Sequence, residues 1–467
     1  MRQPLSVERR QSDSTFFICA YTNRFIIRIV GSPYAKTILQ PMSKKTSNDQ
    51  FSLCSTPNEI IMTRTFHPIG HGAFYTERFM QHHECKFSVV FDCGCYEAFK
   101  GGVPTGVFED RIKRAIDNFY PKDKETINLL FISHFHQDHI NGIKHLKDKC
   151  NIERIIVPQL TPEIVIEAYV FNYIQTKAEQ EGTVATSGDF ANQWIKELYR
   201  LKENPSKKSQ PTIIEVAPAG ENLKEEQTWN KISHTDLDSL KEGRIGQNTA
   251  IECTIVGVPL WLYIPFNLPN KGTGQLCNLP LFQSAVNGGK VDFEQLDEIL
   301  KDATIKELKE AYESVYGKKH NSYSMTVFSG TECHRCFKYC HIRLLDFLRT
   351  KLCHYIPRYC TLNCLYCGDF EANPTYPKKN SNCKELKKFY DKYWDKIGLL
   401  QVPHHGSKDN LNTLLYEPEK ICIISAGKTD KYQHPNMPVL QAILEKGSIP
   451  IIVTEDTRTK QEFTYHL

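Results

Sequence analysis

The densest group of chemically active side chains is the hexapeptide HFHQDH at residues 134–139, which directly follows an apolar run. It carries three imidazoles and one carboxylate, groups that bind zinc and similar divalent ions. On an extended loop, His134 and His136 can face one ion, while Asp138 and His139 turn toward a second ion. The spacing therefore predicts a binuclear metal centre, against the alternative of a surface histidine cluster without metal.

Two later segments offer the groups that such a centre still needs. Gly368 and Asp369 follow one apolar run, and His404 and His405 follow another. A carboxylate can bridge two ions, and further imidazoles complete their coordination. Gly-Asp alone is a weak signal and His-His-Gly a moderate one. The prediction depends on both pairs occurring, in this order, after the hexapeptide.

Strands and helices must position these residues. The run KFSVVFDCGC (86–95) predicts a buried strand with Asp92 near its carboxyl end. TINLLFIS (126–133) predicts a second buried strand that leads into the hexapeptide. Residues 108–119 have a helical pattern, and so does the segment after the hexapeptide. Strands that alternate with helices favour a layered α/β fold.

The alternation continues along the rest of the chain. Helical periodicity runs from Thr161 to about Lys202, and the sequence becomes strand-like from Thr212. Further helices are predicted at 292–316, 383–397 and 437–446, with Val- and Ile-rich strands between them.

Composition narrows the class of protein. The chain has 467 residues, with 58 Lys and Arg against 54 Asp and Glu, which gives a net charge of +4. This balance excludes a wholly basic or a disordered protein. The longest apolar stretch without charge, 254–269, is interrupted by three prolines and is too short to cross a bilayer. We expect a cytoplasmic protein, because the N-terminal region also lacks the features of a secretion signal.

The motifs together resemble the metallo-β-lactamase superfamily. Asp92 resembles its first motif, HFHQDH its second, Gly368-Asp369 its fourth and His404-His405 its fifth. Within that superfamily, GHGAF (70–74), NSYS (321–324), CGDFE (367–371), VPHHGS (402–407) and SAGKTDKYQHP (425–435) resemble the hydrolase domain of ComEC-type DNA-uptake proteins and their soluble relatives.

The resemblance implies an αββα sandwich, in which two mixed β-sheets lie between helical layers. We predict that this domain spans 62–467, with a helical insertion at about 160–250 and a Cys-rich insertion at about 331–365. Residues 1–61 are predicted to be a poorly ordered N-terminal extension, although FFICAY (16–21) offers the alternative of a real strand.

The resemblance also implies roles for the ligands. His134 and His136 would hold one ion, Asp138 and His139 the other, and Asp369 would bridge them. The site would take two Zn²⁺ or Mn²⁺ ions, since ligand sets of this kind accept both metals.

Four further residues receive roles by the same comparison. His405 would complete the second ion's shell, which leaves His404 to contact the substrate or leaving group. Asp92 would orient the ligand loop and fix the tautomers of the ligands without binding metal. His434, in a His-Pro pair, would line the pocket, against the alternative of a residue that caps a turn.

The third motif is where the chain departs from the superfamily pattern. Many members have histidine there, whereas ComEC-type domains tend to have asparagine. His320 and Asn321 permit either assignment, because His320 stands four residues before Ser324. We therefore keep His320 as a candidate ligand, with a solvent-facing histidine as the alternative.

The implied reaction is hydrolysis by a hydroxide that bridges the two ions. Asp138 would orient the hydroxide, and His404 or His434 would donate a hydrogen bond or a proton to the leaving oxygen. The expected activity is that of a phosphodiesterase, with nucleic acid as a candidate substrate. The alternatives are a small-molecule hydrolase acting on a phosphorylcholine ester, a cyclic nucleotide or a lactone, and an effector module that a protein partner activates.

Two clusters leave alternatives open. Lys318 and Lys319, with five lysines within 383–397, could attract phosphates or form a solvated face. In the Cys-rich insertion, two Cys-x-x-Cys pairs could hold a structural zinc ion or be buried thiols of the core. These pairs are Cys333 with Cys336 and Cys364 with Cys367.

Overall fold

The chain divides into two units, Met1–Ser55 and Thr56–Leu467. In the first unit, strand β1 (Phe17–Tyr21) pairs in antiparallel register with strand β2 (Arg24–Arg28). Strand β1 lies within the FFICAY segment. The computed structural model describes residues 17–21, 24–28, 59–96, 99–100, 103–104, 107–177, 187–204, 211–219, 229–240, 243–268, 275–316, 324–332, 339–343, 362–372, 381–428 and 433–467.

The second unit contains strands in two large sheets and three small pairs. In chain order they are β3 (Ile61–Phe66), β4 (Gly72–Gln81), β5 (Glu84–Cys95), β6 (Phe99–Lys100), β7 (Val103–Pro104), β8 (Glu125–Ile127), β9 (Leu129–Phe131), β10 (Cys150–Ile152), β11 (Arg154–Pro158), β12 (Thr212–Val216), β13 (Asn230–Ser233), β14 (Arg244–Ile245), β15 (Thr249–Ile255), β16 (Val258–Phe266), β17 (Val286–Asn287), β18 (Lys290–Val291), β19 (Thr326–Gly330), β20 (Tyr339–Arg343), β21 (Cys364–Tyr366), β22 (Leu399–Gln401), β23 (Ile421–Ser425), β24 (Ile449–Val453) and β25 (Gln461–His466).

The α-helices of this unit lie between the strands. In chain order they are α1 (Val107–Phe119), α2 (Gln137–Ile140), α3 (Ile143–Lys149), α4 (Pro162–Lys177), α5 (Ser187–Glu203), α6 (Phe293–Asp302), α7 (Ile305–Tyr316), α8 (Ser381–Phe389), α9 (Asp391–Trp394) and α10 (Met437–Glu445). Their starts follow the expected chemistry. Pro162 begins α4, and the side chain of Asp292 accepts hydrogen bonds from two backbone amides at the start of α6.

Both large sheets mix parallel and antiparallel pairs. Among the described residues, the order in the first sheet is β14-β12-β11-β9-β5-β4-β3-β25-β20, and in the second it is β13-β15-β16-β19-β21-β22-β23-β24. Strands β5, β9, β11 and β12 are neighbours in parallel in the first sheet, as are β21 to β24 in the second.

Apolar side chains form three layers of core. Residues of both sheets, such as Phe91 and Tyr263, pack in a central cluster between the sheets. A second cluster joins the first sheet to α1 and α3–α7, and a third joins the second sheet to α8–α10. The prediction of a mixed α/β protein with two large mixed sheets and helices is therefore confirmed, whereas membership of the metallo-β-lactamase fold remains a prediction.

The predicted insertions differ in part from the observed elements. The helical sequence that begins at Thr161 forms α4 and α5 and ends at Glu203. The remainder of 160–250 supplies strands β12–β14, which join both large sheets. Most of 331–365 lies outside the described residues, and β20 within it pairs with β25. No helix in the described ranges is long and apolar enough to cross a membrane.

A fully buried ion pair in the first sheet accepts hydrogen bonds from the second sheet. Arg64 on β3 donates through Nε to Glu77 Oε1 on β4 at 2.7 Å, and neither side chain is exposed to solvent. Hydroxyl groups of the opposite sheet complete the shell of Glu77. These donors are Tyr263 at 2.6 Å, Ser329 at 2.8 Å and Tyr366 at 2.9 Å. The cluster connects strands β3 and β4 to strands β16, β19 and β21.

We predict that Glu77→Gln destabilises the protein by about 3–5 kcal/mol, because Arg64 would remain buried without its counter-charge. Urea unfolding measures this change. The control is Glu84→Gln, which removes a carboxylate from the exposed pair with Lys86 and should leave the unfolding midpoint unchanged. An unchanged midpoint for Glu77→Gln would contradict a stabilising role for the buried pair.

Candidate metal centre

A β-bulge presents Asp92 to the site. Along β4 and β5, Phe74 pairs with Cys93 and Tyr75 pairs with Phe91, so Asp92 is the extra residue of the longer strand. Its φ of 50° is in the left-handed region, which fits such a position. Because of the bulge, the Asp92 side chain does not follow the regular alternation of side chains between the two faces of the sheet. Its carboxylate points to the loop after β9, and the residue is only 2% exposed.

Asp92 organises the beginning of the HFHQDH loop. Its Oδ1 accepts from the Ser133 amide at 2.7 Å, and its Oδ2 accepts from the Ser133 hydroxyl at 2.7 Å. The same Oδ2 lies 2.8 Å from His139 Nδ1. The Ser133 Oγ, whose proton is directed at Asp92, lies 3.0 Å from His134 Nδ1 and accepts from it. Both imidazoles therefore carry a proton on Nδ1, and in the neutral form of each ring Nε2 bears the lone pair.

The backbone around the loop is closely packed. A Cβ atom at Gly94 would lie 2.6–2.7 Å from backbone atoms of Asp138 and His139, so only glycine permits α2 to approach β5. On the other side of the loop, Asn172 of α4 accepts from the Gln137 amide at 2.9 Å and donates to the carbonyl before His136 at 2.9 Å. The predicted helical insertion thus supports the ligand loop.

Asp369 follows a turn at the end of β21. Gly368 has a φ of 52°, and a Cβ there would lie 2.6 Å from side-chain atoms of Ser133 and Ser324. Gln401 Oε1 accepts from the amides of Cys367 and Gly368 at 2.7 and 2.6 Å, and Ser324 Oγ accepts from the Asp369 amide at 2.9 Å. These contacts fix the direction of the Asp369 carboxylate.

His404 and His405 lie in a strained turn after β22. Their φ values are 48° and 52°, which is uncommon for residues with side chains and typical of functional sites. The His404 amide donates to the Gly368 carbonyl at 3.1 Å, which joins this turn to the Asp369 turn. His405 Nδ1 donates to the Ser425 carbonyl at 3.0 Å, so the Nε2 of a neutral His405 bears a lone pair.

His404 has the opposite arrangement. The Asn410 Nδ2 donates to His404 Nδ1 at 3.2 Å, so a neutral His404 carries its proton on Nε2 and is a donor. Its side chain is 32% exposed, whereas that of His405 is 2% exposed. In the neutral forms, His405 therefore presents a lone pair on Nε2, whereas His404 presents an N–H group on Nε2.

The structure brings two groups of ligand atoms together. In each group the ligand atoms lie within 4.8 Å of one another. The first group contains His134, His139 and Asp369, and the second contains His71, Asp138 and His405.

Asp369 lies between the two groups. Its Oδ1 is 3.2 Å from His139 Nε2 and 3.7 Å from His405 Nε2. Its Oδ2 is 3.7 Å from His134 Nε2 and 4.0 Å from His404 Nε2. Oδ1 thus lies between a nitrogen of the first group and a nitrogen of the second, a position from which a carboxylate oxygen could bridge two ions.

The charge states of the site suit a metal centre. Burial lowers the pKa of His134 well below its usual value, and the two neighbouring histidines lower it further. Burial would raise the pKa of Asp369, but His404, His139 and His405 hold it well below the usual range. Burial would lower the pKa of His139, but the charges of Asp369, Asp138 and Asp92 raise it well above 6.5. Asp369 is therefore ionised and His139 is protonated in the metal-free protein, so an ion that binds His139 Nε2 would displace a proton.

The donor set fits divalent ions. The Nε2 atoms of His134 and His139 are buried and lie 3.7 and 3.2 Å from oxygens of the Asp369 carboxylate. His405 Nε2, a lone-pair atom, faces Asp138 Oδ2 at 3.2 Å. Two acceptors at this distance repel each other unless a proton or a cation lies between them. These buried histidines and aspartates are groups that can bind a metal ion.

His136 is turned to a different neighbour. Its ring stacks on Phe171 of α4 at 4.0 Å, and its Nε2 lies 4.0 Å from Glu167 Oε1. Glu167 also accepts from the Tyr312 hydroxyl of α7. His136 remains 4.5 Å from His134, ring centre to ring centre, but it does not belong to either group of ligand atoms. Its predicted pairing with His134 on one ion stays a prediction.

Two residues beside the ligand atoms were not predicted from the sequence. His71 lies within the GHGAF segment, yet that segment gave no sign of a ligand. Glu167 lies within a helix whose apolar residues dominate its pattern. Neither residue has a dense local group of ligand types beside it, so only the tertiary structure brings them to the site.

The remaining predicted residues have varied positions. His434 lies at the rim, with its ring 5.7 Å from that of His71 and 6.0 Å from that of His404. His320 and Asn321 lie outside the described residues, so the choice between them as ligand stays open.

Of the two Cys-x-x-Cys pairs, Cys364 with Cys367 lies in the described part of the chain. Cys364 packs between the sheets, whereas Cys367 packs in the cluster beneath α8–α10. Burial raises the pKa of the Cys364 thiol to about 12 and that of Cys367 well above its usual value. Cys333 and Cys336 lie outside the described residues. Cys364 and Cys367 are buried thiols of the core, and the structural zinc site stays a prediction.

The predicted basic stripe is partly neutralised by ion pairs. Lys387 contacts Glu417 at 2.6 Å, and Lys392 contacts Glu332 at 2.6 Å. Lys318 and Lys319 are outside the described residues. The lysines of α8 and α9 therefore favour the solvated face over a phosphate-binding groove.

Comparison with known proteins gives one short match. No family model matches the chain. Over 68 residues, which are 14% of this chain, the sequence is 40% identical to ComE operon protein 3 of Bacillus subtilis (strain 168). The matched stretch spans only 9% of that protein's length. The similarity indicates a relation to ComE-type proteins over this stretch alone.

We predict that Asp92→Asn weakens metal binding by about 10–100-fold while the fold is retained, because the amide cannot accept from both Ser133 and His139. Isothermal titration with Zn²⁺ or Mn²⁺ measures the change. Asp395→Asn, at an exposed aspartate outside both groups, is the matched control. Equal affinities for Asp92→Asn and the wild type would contradict the orienting role.

Substitutions of His404 and His405 should distinguish a role in metal binding from a role in turnover. We expect His405→Ala to lose bound metal, because its Nε2 is held as a ligand atom. We expect His404→Ala to retain metal and to lose turnover. Elemental analysis and hydrolysis of bis-p-nitrophenyl phosphate test both variants, and the reverse pattern would exchange their roles.

Proposed function

We propose that this protein is a metal-dependent hydrolase with a binuclear site and that its substrates are phosphodiesters. The observation that carries the proposal is the position of Asp369, whose Oδ1 lies 3.2 Å from His139 Nε2 of the first group and 3.7 Å from His405 Nε2 of the second. The ligands would be His134, Asp138, His139, Asp369 and His405, with His136 and His320 as further candidates.

Two divalent ions bound there would supply a hydroxide at neutral pH and neutralise charge on an attacked phosphoryl oxygen. The protein's own groups perform the remaining tasks. The Asp138 carboxylate, 14% exposed, is the more accessible of the two acidic ligands and would orient the attacking water. His404 Nε2 would donate a hydrogen bond to the leaving oxygen, since Asn410 occupies its Nδ1.

The open side of the site supports a substrate that approaches past His404. The side chains of His134, His139, Asp369 and His405 are at most 5% exposed, compared with 32% for His404. His434 borders the same side. Imidazole donors at the rim are suited to the anionic oxygens of a phosphodiester.

The choice of phosphodiesters over other esters comes from sequence similarity. The hydrolase-domain motifs resemble those of ComEC-type DNA-uptake proteins, and the short match to a ComE operon protein is in accord with them. A sandwich of this kind hosts several hydrolytic reactions, so the fold alone selects no substrate. Nucleic acid is the substrate class that we would test first.

A second candidate is a small-molecule hydrolase. It is favoured by the contact of α4 with the site, where Phe171 stacks on His136 and Glu167 lies beside it. Together with Tyr312 of α7, these residues form a wall that could limit the size of the substrate. Rates on DNA and RNA compared with those on cyclic nucleotides, phosphorylcholine esters and lactones would distinguish the two candidates.

We predict that Asp369→Asn abolishes hydrolysis of bis-p-nitrophenyl phosphate and lowers bound metal. The rate should fall by about 100-fold or more, because loss of even an outer partner of a metal ligand reduces affinity or activity by about 10–100-fold. The Asp395→Asn protein is again the control. Unchanged turnover in Asp369→Asn would refute the bridging role and the proposal with it.

A further inference from the structure

His71 enters the site from the connection between β3 and β4. It immediately precedes β4 and is 6% exposed. The backbone here is held in place, since the amide of Tyr96 donates to the His71 carbonyl at 2.7 Å. The position of His71 is thus tied to the carboxyl end of β5, the strand that presents Asp92.

The imidazole of His71 faces two groups that we have already assigned to metal binding. Its Nε2 lies 3.5 Å from Asp138 Oδ2, and His405 Nε2 lies 3.2 Å from the same oxygen. The rings of His71 and His405 are 3.9 Å apart, centre to centre. These three ligand atoms form a set of two nitrogens and one carboxylate oxygen, within 4.8 Å of one another.

Asp138 Oδ2 is surrounded by imidazole nitrogens. His405, His71 and His139 place Nε2 at 3.2, 3.5 and 3.9 Å from it. In their neutral forms His405 and His139 present lone pairs there, because Ser425 and Asp92 accept from their Nδ1 atoms. Lone pairs that converge on a carboxylate oxygen are the pattern of a cation site, and His71 contributes a nitrogen to the same space.

We propose that His71 is an additional nitrogen ligand of the ion held by Asp138 and His405. This inference rests on the binuclear site of the proposed function, and it adds a ligand that none of the motifs discussed above assigns. The ligands of this ion would then come from the β3–β4 connection, the HFHQDH loop and the turn after β22. The ion would tie together three segments from both sheets.

The test uses purified full-length protein loaded with Co²⁺, whose visible absorption reports its ligands, and titrations with Zn²⁺. His71→Phe keeps an aromatic ring against His405 and removes the nitrogen. We expect it to retain one tightly bound ion, to bind the other at least about 10-fold more weakly, and to alter the Co²⁺ spectrum. His71→Asn provides the same test if the Phe variant does not fold.

His434→Phe is the matched control, because His434 lies 5.7 Å from His71, ring centre to ring centre, but belongs to neither ligand group. It should bind both ions as the wild type does. Wild-type affinities and an unchanged spectrum in His71→Phe would overturn the inference while leaving the binuclear site intact. Equal weakening in His434→Phe would assign the effect to pocket packing and also overturn it. A wild-type protein that binds no ion would overturn this inference and the proposed function together.

Discussion

The carboxylate of Asp92 is the group on which the arrangement of the site depends. It accepts from the backbone and hydroxyl of Ser133 and from His139 Nδ1, and through Ser133 it also orients His134. One buried acceptor therefore determines which nitrogen of two imidazoles carries the proton. A bulge in β5 is what allows this acceptor to face the loop, since regular alternation would have paired it within the sheet.

The site also depends on the distance between two sheets. Asp92 lies in a strand of the first sheet and the HFHQDH loop follows another, whereas Asp369 and His405 follow strands of the second. The buried pair of Arg64 and Glu77, with its hydroxyl donors from the second sheet, fixes one sheet against the other. Nearer to the site, the Tyr75 hydroxyl donates to Ser425 Oγ at 3.0 Å, beside the carbonyl that orients His405.

Local sequence was sufficient for the parts of the fold and site that local chemistry determines. The Val- and Phe-rich strands leading to Asp92 and to the HFHQDH loop have the predicted type, and the Asp369 and His405 turns follow strands as expected. Long-range contacts account for the differences. The predicted helix at 383–397 is divided at Tyr390 into α8 and α9, and the buried Tyr390 hydroxyl donates to the Ile264 carbonyl at 2.9 Å. His71 is a single histidine before a strand. Only the packing of the two sheets brings its ring into contact with the ring of His405.

The cost of burying this many charges argues for a cation at their centre. Asp92, Asp138 and Asp369 lie within one small region, and the pKa values of the last two are held well below the usual range although burial opposes ionisation. Buried carboxylates are unfavourable unless opposite charge and hydrogen bonds compensate them. The imidazoles nearest to them are constrained, since His139 and His405 give their Nδ1 protons to Asp92 and the Ser425 carbonyl. Divalent ions would supply the opposing charge while His139 and His405 keep their protons on Nδ1. Metal binding should therefore stabilise the folded loops, and the folded loops should in turn favour metal binding.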